Sequence, residues 1–270
     1  MRYCANLSIL FKEAAFLDRF ERAWRAGFSA VEFWWPSGEE PSEVERAVKE
    51  AGLEVVLINF DAGDMPSGER GLISDPSRRE QFLANVPVAL DLARAVGCKR
   101  LNALAGHEIP GMDRAEQLAL ARDNVRSAAD AAADHGIEVL IEAVNTIENG
   151  PYLLYTTAQA AEFVRSVERD NVRLQYDAYH MQRMEGDLTS TLREHLGTIS
   201  HVQIADSSER GEPGTGEIRY PYLLGVLEGL GYDGYVGLEY NPTTPTTEES
   251  LGWLPERLRG SGGLVEGLAL

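Results

Sequence analysis

Four short apolar runs in the second half of the chain each enclose one side chain able to hold a cation or carry a proton. They are Glu142 in Leu-Ile-Glu-Ala-Val, Asp177 in Leu-Gln-Tyr-Asp-Ala, Gln203 in His-Val-Gln-Ile-Ala and Glu239 in Gly-Leu-Glu-Tyr-Asn. Brought into one partly dry cleft, three carboxylates repel one another and stay protonated unless something compensates. A divalent cation is the simplest compensation, and all-oxygen ligands suit Mg²⁺ or Mn²⁺ better than zinc. Pairing with arginine across strands at a rim is the alternative role for the same acids. His180 follows Asp177 by three residues. It can donate a hydrogen bond to a substrate oxygen or relay a proton, or serve only as a satisfied loop histidine.

These residues need elements that converge. Periodicity along the chain alternates β-rich runs near 3–7, 30–34, 54–59, 100–105, 138–144, 173–177, 200–205 and 235–240 with longer amphipathic stretches. The nearly continuous apolar character of Leu140-Ile141 and Val202-Gln-Ile204 is that of strands covered on both faces. Asp113 with Glu116 forms a capping signature, Pro41 opens a helix, and Gly27, Gly52, Gly97 and Gly136 each separate a helical stretch from a strand. Eight strand–helix units over about 250 residues predict an α/β fold, a single (β/α)8 TIM barrel over 1–258 with a C-terminal tail at 259–270. A doubly wound open sheet is the runner-up, but Asn6-Leu-Ser-Ile-Leu-Phe11 has no glycine fingerprint. In a barrel, Glu142, Asp177, Gln203 and Glu239 end strands five to eight and face one mouth. The segment 61–77, rich in Gly, Pro and charge, reads as a functional βα loop.

Residue supply narrows the chemistry. The only lysines are Lys12, Lys49 and Lys99, none well placed at a strand's carboxyl end for Schiff-base chemistry. Cys4 lies inside the first strand and Cys98 at the barrel bottom, which disfavours a cysteine nucleophile, a disulfide framework or a four-cysteine zinc site. Gly211-Glu-Pro-Gly-Thr-Gly-Glu217 lacks the Lys-Ser/Thr of a phosphate loop. Carboxylates, a cation, a histidine and arginines remain, a set able to move a proton beside a carbonyl. Glu142 and Glu239 are the natural pair, because strands five and eight set them on opposite sides of a small substrate.

The chain carries 43 acidic against 25 basic residues, a formal net charge of −18. That balance repels a polyanion, so nucleic acid is disfavoured as a partner. No apolar run approaches the length of a membrane span and the first ten residues lack a signal-peptide pattern, so a cytoplasmic protein with no membrane partner is expected. Trp34 and Trp35 at the end of strand two line the pocket, pack at the barrel top or meet another subunit. The tail 259–270 either frays or docks on a neighbour, which leaves a homo-oligomer open.

Ala5-Asn-Leu-Ser8, Gly68-Glu-Arg-Gly71, the long run from Gln175 to Gly186, His201-Val-Gln-Ile-Ala-Asp206 and Arg210-Gly-Glu-Pro-Gly-Thr-Gly-Glu-Ile218 resemble the hydroxypyruvate isomerase family. That family belongs to the xylose-isomerase-like TIM barrels and includes the 2-oxo-tetronate isomerases. The resemblance, over about residues 2–253, implies interconversion of hydroxypyruvate with tartronate semialdehyde or of a related 2-oxo acid. It implies Glu142 and Glu239 as proton donor and acceptor, and Glu142, Asp177, Gln203 and Glu239 as ligands of the cation. The matched loops offer Arg70 and Arg210 for the substrate's carboxylate, with Glu69, His107 and His180 also facing substrate. Two departures, Asn59-Phe60-Asp61 in place of Asn-Leu-Pro and His107 in place of a lysine, bear on the choice of 2-oxo acid. A ketose 3-epimerase is disfavoured by Gln203 where a histidine is usual. An abasic-site endonuclease would need clustered histidines and a basic groove. A silent sugar-acid-binding barrel is opposed by the two intact glutamates.

Overall fold

The computed structural model describes residues 1–261 and 268. Among the described residues the strands are β1 Arg2–Asn6, β2 Ala30–Phe33, β3 Glu54–Asn59, β4 Arg100–Asn102, β5 Glu138–Glu142, β6 Val172–Asp177, β7 Ile199–Ile204 and β8 Tyr235–Leu238. All pair in parallel and in chain order, and β1–β8 pairing (Cys4 opposite Gly237) closes the barrel. The open doubly wound sheet is thereby excluded.

The helices are α1 Asp18–Arg25, α2 Pro41–Ala51, α3 Arg79–Val96, α4 Arg114–Ala133, α5 Thr146–Asn149, α6 Thr157–Val167, α7 Ala178–Met184, α8 Leu188–His195, α9 Tyr220–Gly229, α10 Thr247–Ser250 and α11 Glu256–Ser261. Their punctuation follows the sequence. Pro41 occupies the first turn of α2, and the Asp113 carboxylate accepts from the N–H groups of Ala115 and Glu116 at the start of α4. Gly52 and Gly97 end α2 and α3 in the left-handed region, at φ +66 and +74, which a side-chain-bearing residue adopts only at a cost.

Every residue of β2 is buried, as are the last four of β1 and β5. That is the burial of strands walled by helices outside and by packed side chains within. Phe16, Phe20 and Phe33 bind α1 to β2 edge to face, with centroids 5.5–5.7 Å apart. Each such pair contributes about 0.5–1.5 kcal/mol beyond its burial.

Three structural departures from the sequence reading concern the mouth. β4 and β8 stop short of the predicted ends, so 103–105 and 239–240 belong to loops. Short α5, α7 and α10 follow β5, β6 and β8 before the principal helix of the unit. The polypeptide also stays helical through Arg259, whose guanidinium donates to the carbonyls of Ala26, Leu251 and Leu254 at 2.9 Å. Of the tail expected at 259–270, residues 262–267 and 269–270 lie outside the described residues. No helix among the described residues is long and apolar enough to cross a membrane.

Candidate active site

Strand ends place the acids. Glu142 and Asp177 are the last residues of β5 and β6, Gln203 is the penultimate residue of β7, and Glu239 directly follows β8. Asp177 lies opposite Gln203 in the β6–β7 register and Gln203 opposite Gly237 in β7–β8. Ligand-type atoms of Glu142, Asp177, His180 and Glu239 lie within 4.8 Å of one another, and all four residues are buried.

Each group has a distinct set of partners. Glu142 Oε2 accepts from Asn102 Nδ2 at 3.0 Å. Glu239 Oε1 accepts from Trp34 Nε1 at 2.6 Å and Asn6 Nδ2 at 3.1 Å, and its Oε2 accepts from Arg210 Nη2 at 2.6 Å. Asp177 Oδ1 caps α7, accepting from Tyr179 N at 2.7 Å. Its buried Oδ2 has no hydrogen-bond partner among the described residues; His180 Nε2 and Arg210 Nη2 stand 3.6 and 3.9 Å away. His180 Nδ1 accepts from Asn145 Nδ2 at 2.7 Å, which leaves the proton on Nε2, facing the acids. Gln203 donates through Nε2 to Glu32 at 2.6 Å, while its Oε1 accepts from Gln175 Nε2 at 2.5 Å.

The electrostatics follow from crowding acids in a dry place. Burial, then Glu239 and Asp177, push the Glu142 carboxyl well above its usual range. Burial raises Glu239 to about 7, with Asp177 and Glu32 adding to the rise and Arg210 and Trp34 opposing it. Asp177 is also raised, burial outweighing Arg210. Burial and the adjacent Arg210 push His180 well below its ordinary value, so its imidazole is neutral. An orphaned carboxylate oxygen among three acids that share a single arginine is what a cation site presents. The oxygen-rich donor set fits a divalent cation.

Above the acids is a cavity of about 280 Å³ lined by Glu142, Glu239, His180, Arg210 and Arg70, and walled by Trp34, Asn59 and Tyr152 among others. Trp34 therefore lines the pocket, whereas Trp35 packs partly buried beside it. Arg70 comes from the 60–78 loop, tied by Nε to Asn149 and by Nη1 to the carbonyls of Met65 and Glu69. Gly71 makes this possible: at φ +129 its α-carbon passes so close to the Leu104 carbonyl that a Cβ would come within 2.2 Å of the oxygen. Arg210 adopts a left-handed backbone, φ +57. Its loop is laced by Asp206, which accepts from the N–H groups of Ser207, Gly214 and Ile218 at 2.8–3.0 Å.

Glu69 and His107 are not among the cavity-lining residues. Glu69 accepts from Asp64 N at 2.6 Å and from Arg78, bracing the loop that carries Arg70. His107 Nε2 bonds the Asn149 carbonyl at 2.6 Å. The polar layer beneath the acids, Asn6, Glu32, Asn102, Gln175 and His201, is buried and went unnoticed in the sequence. Its signal was the one that exposed Glu142, a polar side chain inside an apolar strand, as in Ala30-Val-Glu-Phe33.

A family profile described as xylose isomerase-like TIM barrel matches residues 20–257. Hydroxypyruvate isomerase of Escherichia coli K12 is 43% identical over 254 residues, covering 94% of this chain and 98% of that one. A 2-oxo-tetronate isomerase of Cupriavidus necator is 40% identical over 253 residues, covering 94% and 97%. The crystal structure of a protein described as AP endonuclease, family 2, from Brucella melitensis superposes with a TM-score of 0.89 at 43% identity, covering 93% and 97%. Closed parallel barrel, family match and near full-length relatives agree, and the chain belongs to the xylose isomerase-like TIM barrel family.

Proposed function

We propose that this chain is a hydroxypyruvate isomerase, interconverting hydroxypyruvate and tartronate semialdehyde by proton transfer through an enediolate. The carrying observation is the pair of buried glutamates, Glu142 and Glu239, facing one small cavity with both carboxyls raised above their usual range. A general base works best with a value near the operating pH, and Glu239 at about 7 has it. Glu239 takes a C3 proton of hydroxypyruvate; the electrons form the C2–C3 double bond of the enediolate. Glu142, held protonated by burial and like charge, returns a proton to C2, and the hydroxyl proton passes from the C3 to the C2 oxygen. His180 Nε2–H would donate to that oxygen. Arg70, among the described residues, has no acceptor bonded to its Nη2 and takes the substrate's carboxylate. Glu142, Asp177, Gln203 and Glu239 would hold Mg²⁺ or Mn²⁺, which when bound would offset the acids' charge and polarise substrate oxygens.

The relatives' names support an isomerase, and both name acids of the 2-oxo class. The endonuclease description of the Brucella structure finds no counterpart in a chain with 43 acidic and 25 basic residues. Both cysteines are free and buried, as suits a reducing cytoplasm. Proton NMR of hydroxypyruvate in D₂O with Mn²⁺ or Mg²⁺ tests the proposal. Loss of the C3 signal with appearance of tartronate semialdehyde is expected. No exchange above the buffer blank refutes hydroxypyruvate as substrate, and exchange of a 2-oxo-tetronate instead makes the chain the four-carbon enzyme.

A further inference from the structure

Glu32 is fully buried, a carboxylate in the middle of the barrel with no part in the proton transfer derived above. Four donors converge on it. Oε1 accepts from Gln203 Nε2 at 2.6 Å and Asn6 Nδ2 at 3.1 Å; Oε2 accepts from His201 Nε2 at 2.6 Å and Cys4 Sγ at 3.4 Å. β8, on the far side of β1 from β2, makes room for it: a Cβ on Gly237 would stand 2.5 Å from both carboxylate oxygens. Burial alone would protonate this group, but His201, Gln203 and Cys4 hold it ionised. A buried charge with one partner removed is costly, so its retention under the site calls for a function.

That function follows from the asymmetry of an amide. Both carboxyl oxygens of Glu32 accept from the partners around them, so the end of Gln203 that meets it is the NH₂ group, and Oε1 is turned away from Glu32. Asn6 is fixed likewise: its Nδ2 bridges Glu32 and Glu239 at 3.1 Å each, while its Oδ1 accepts from Ser8 N at 3.0 Å. We infer that Glu32 is a positioning residue for the cation, acting through Gln203, whose oxygen it presents. The inference rests on the reading that Gln203 and Glu239 hold the ion.

Mn²⁺ affinity of the purified full chain, read from the free-ion EPR signal, tests it without turnover. Removal of an outer partner of a metal ligand typically costs about 10–100-fold in affinity. Glu32→Gln is expected to weaken Mn²⁺ binding at least tenfold in the native background and less than threefold in a Gln203→Ala background, with circular dichroism unchanged. A loss below threefold, or equal losses in both backgrounds, overturns the inference. Failure of the native chain to bind Mn²⁺ instead removes the cation reading on which it rests. Should Glu32→Gln not fold, the side-chain amide of Gln203, assigned in the native chain by its loss in Gln203→Ala, decides the matter. A strongly deshielded, slowly exchanging N–H supports the bond to Glu32, and the position and exchange of a free amide refute it.

Discussion

Raising the pH of the metal-free protein from 5.5 to 8 should destabilise it, and the site sets the size of the effect. Glu239 moves from an ordinary 4.5 to about 7 on folding. Between those values the folded chain keeps a proton that the unfolded chain has released. The stabilisation is complete below about 4.5 and is lost as pH rises through about 7. Starting from pH 5.5, about 1.5 units of that span remain, and at 1.36 kcal/mol per unit the loss is about 2 kcal/mol. For a chain of 270 residues that is a fall of about 4 °C in Tm. Glu142 and Asp177, also raised, act in the same direction. Glu32, lowered, contributes a change only below the ordinary glutamate range and so stays flat across this window. Calorimetry in EDTA at the two pH values, for the native chain and Glu239→Gln, isolates the contribution as a difference in slope. Saturating Mn²⁺ should flatten the native profile, because binding of the ion displaces the proton from Glu239. A native Tm that is unchanged or higher at pH 8, with a slope matching the variant's, would refute the placement of a protonated Glu239 in the metal-free site.

Three further outcomes follow from single contacts. Glu142→Gln should lower hydroxypyruvate turnover about 10²–10⁴-fold in the D₂O NMR assay with circular dichroism retained, the usual loss for a proton carrier; a loss under tenfold excludes it from that role. Gly71→Ala must move the loop off the Leu104 carbonyl, 2.2 Å from the new methyl. It should raise KM for the 2-oxo acid by an order of magnitude or more through Arg70 and leave Mn²⁺ affinity unchanged; an unchanged KM breaks the link between loop and substrate. Asp206→Asn sets an amide NH₂ against N–H donors that now have a carboxylate. It should cost about 1–3 kcal/mol, seen as a lower urea midpoint at constant slope, and an unchanged midpoint would show that the loop does not depend on those bonds.

The barrel and its acids were legible because each rests on a local pattern. Apolar runs mark the strands, and a carboxylate at the end of such a run marks the mouth. Helices of four to seven residues, α5, α7 and α10, are too short for a 3.6-residue period to register. Glu32 was illegible for a different reason. Its partners His201 and Gln203 lie 169 and 171 residues away, and only closure of the barrel shows that a lone glutamate in β2 sits beneath the acids of β6–β8. Glu69 and His107 stand beside the residues that line the cavity, which no spacing in the sequence distinguishes from lining it.

The hydrogen bond from Asn6 to Glu239 spans 233 residues and crosses the β1–β8 seam, where the first strand to be synthesised meets the last. Every earlier strand can be synthesised and paired without giving Glu239 its orientation. The centre is therefore complete only when the final strand lies against the first. Contacts of such sequence separation are slow to form, since the loop they close is nearly the whole chain. A nascent polypeptide of 230 residues, although it already carries Glu142, Asp177 and Gln203, would have no assembled centre with which to capture an ion or begin chemistry. The completed seam is what switches the molecule on.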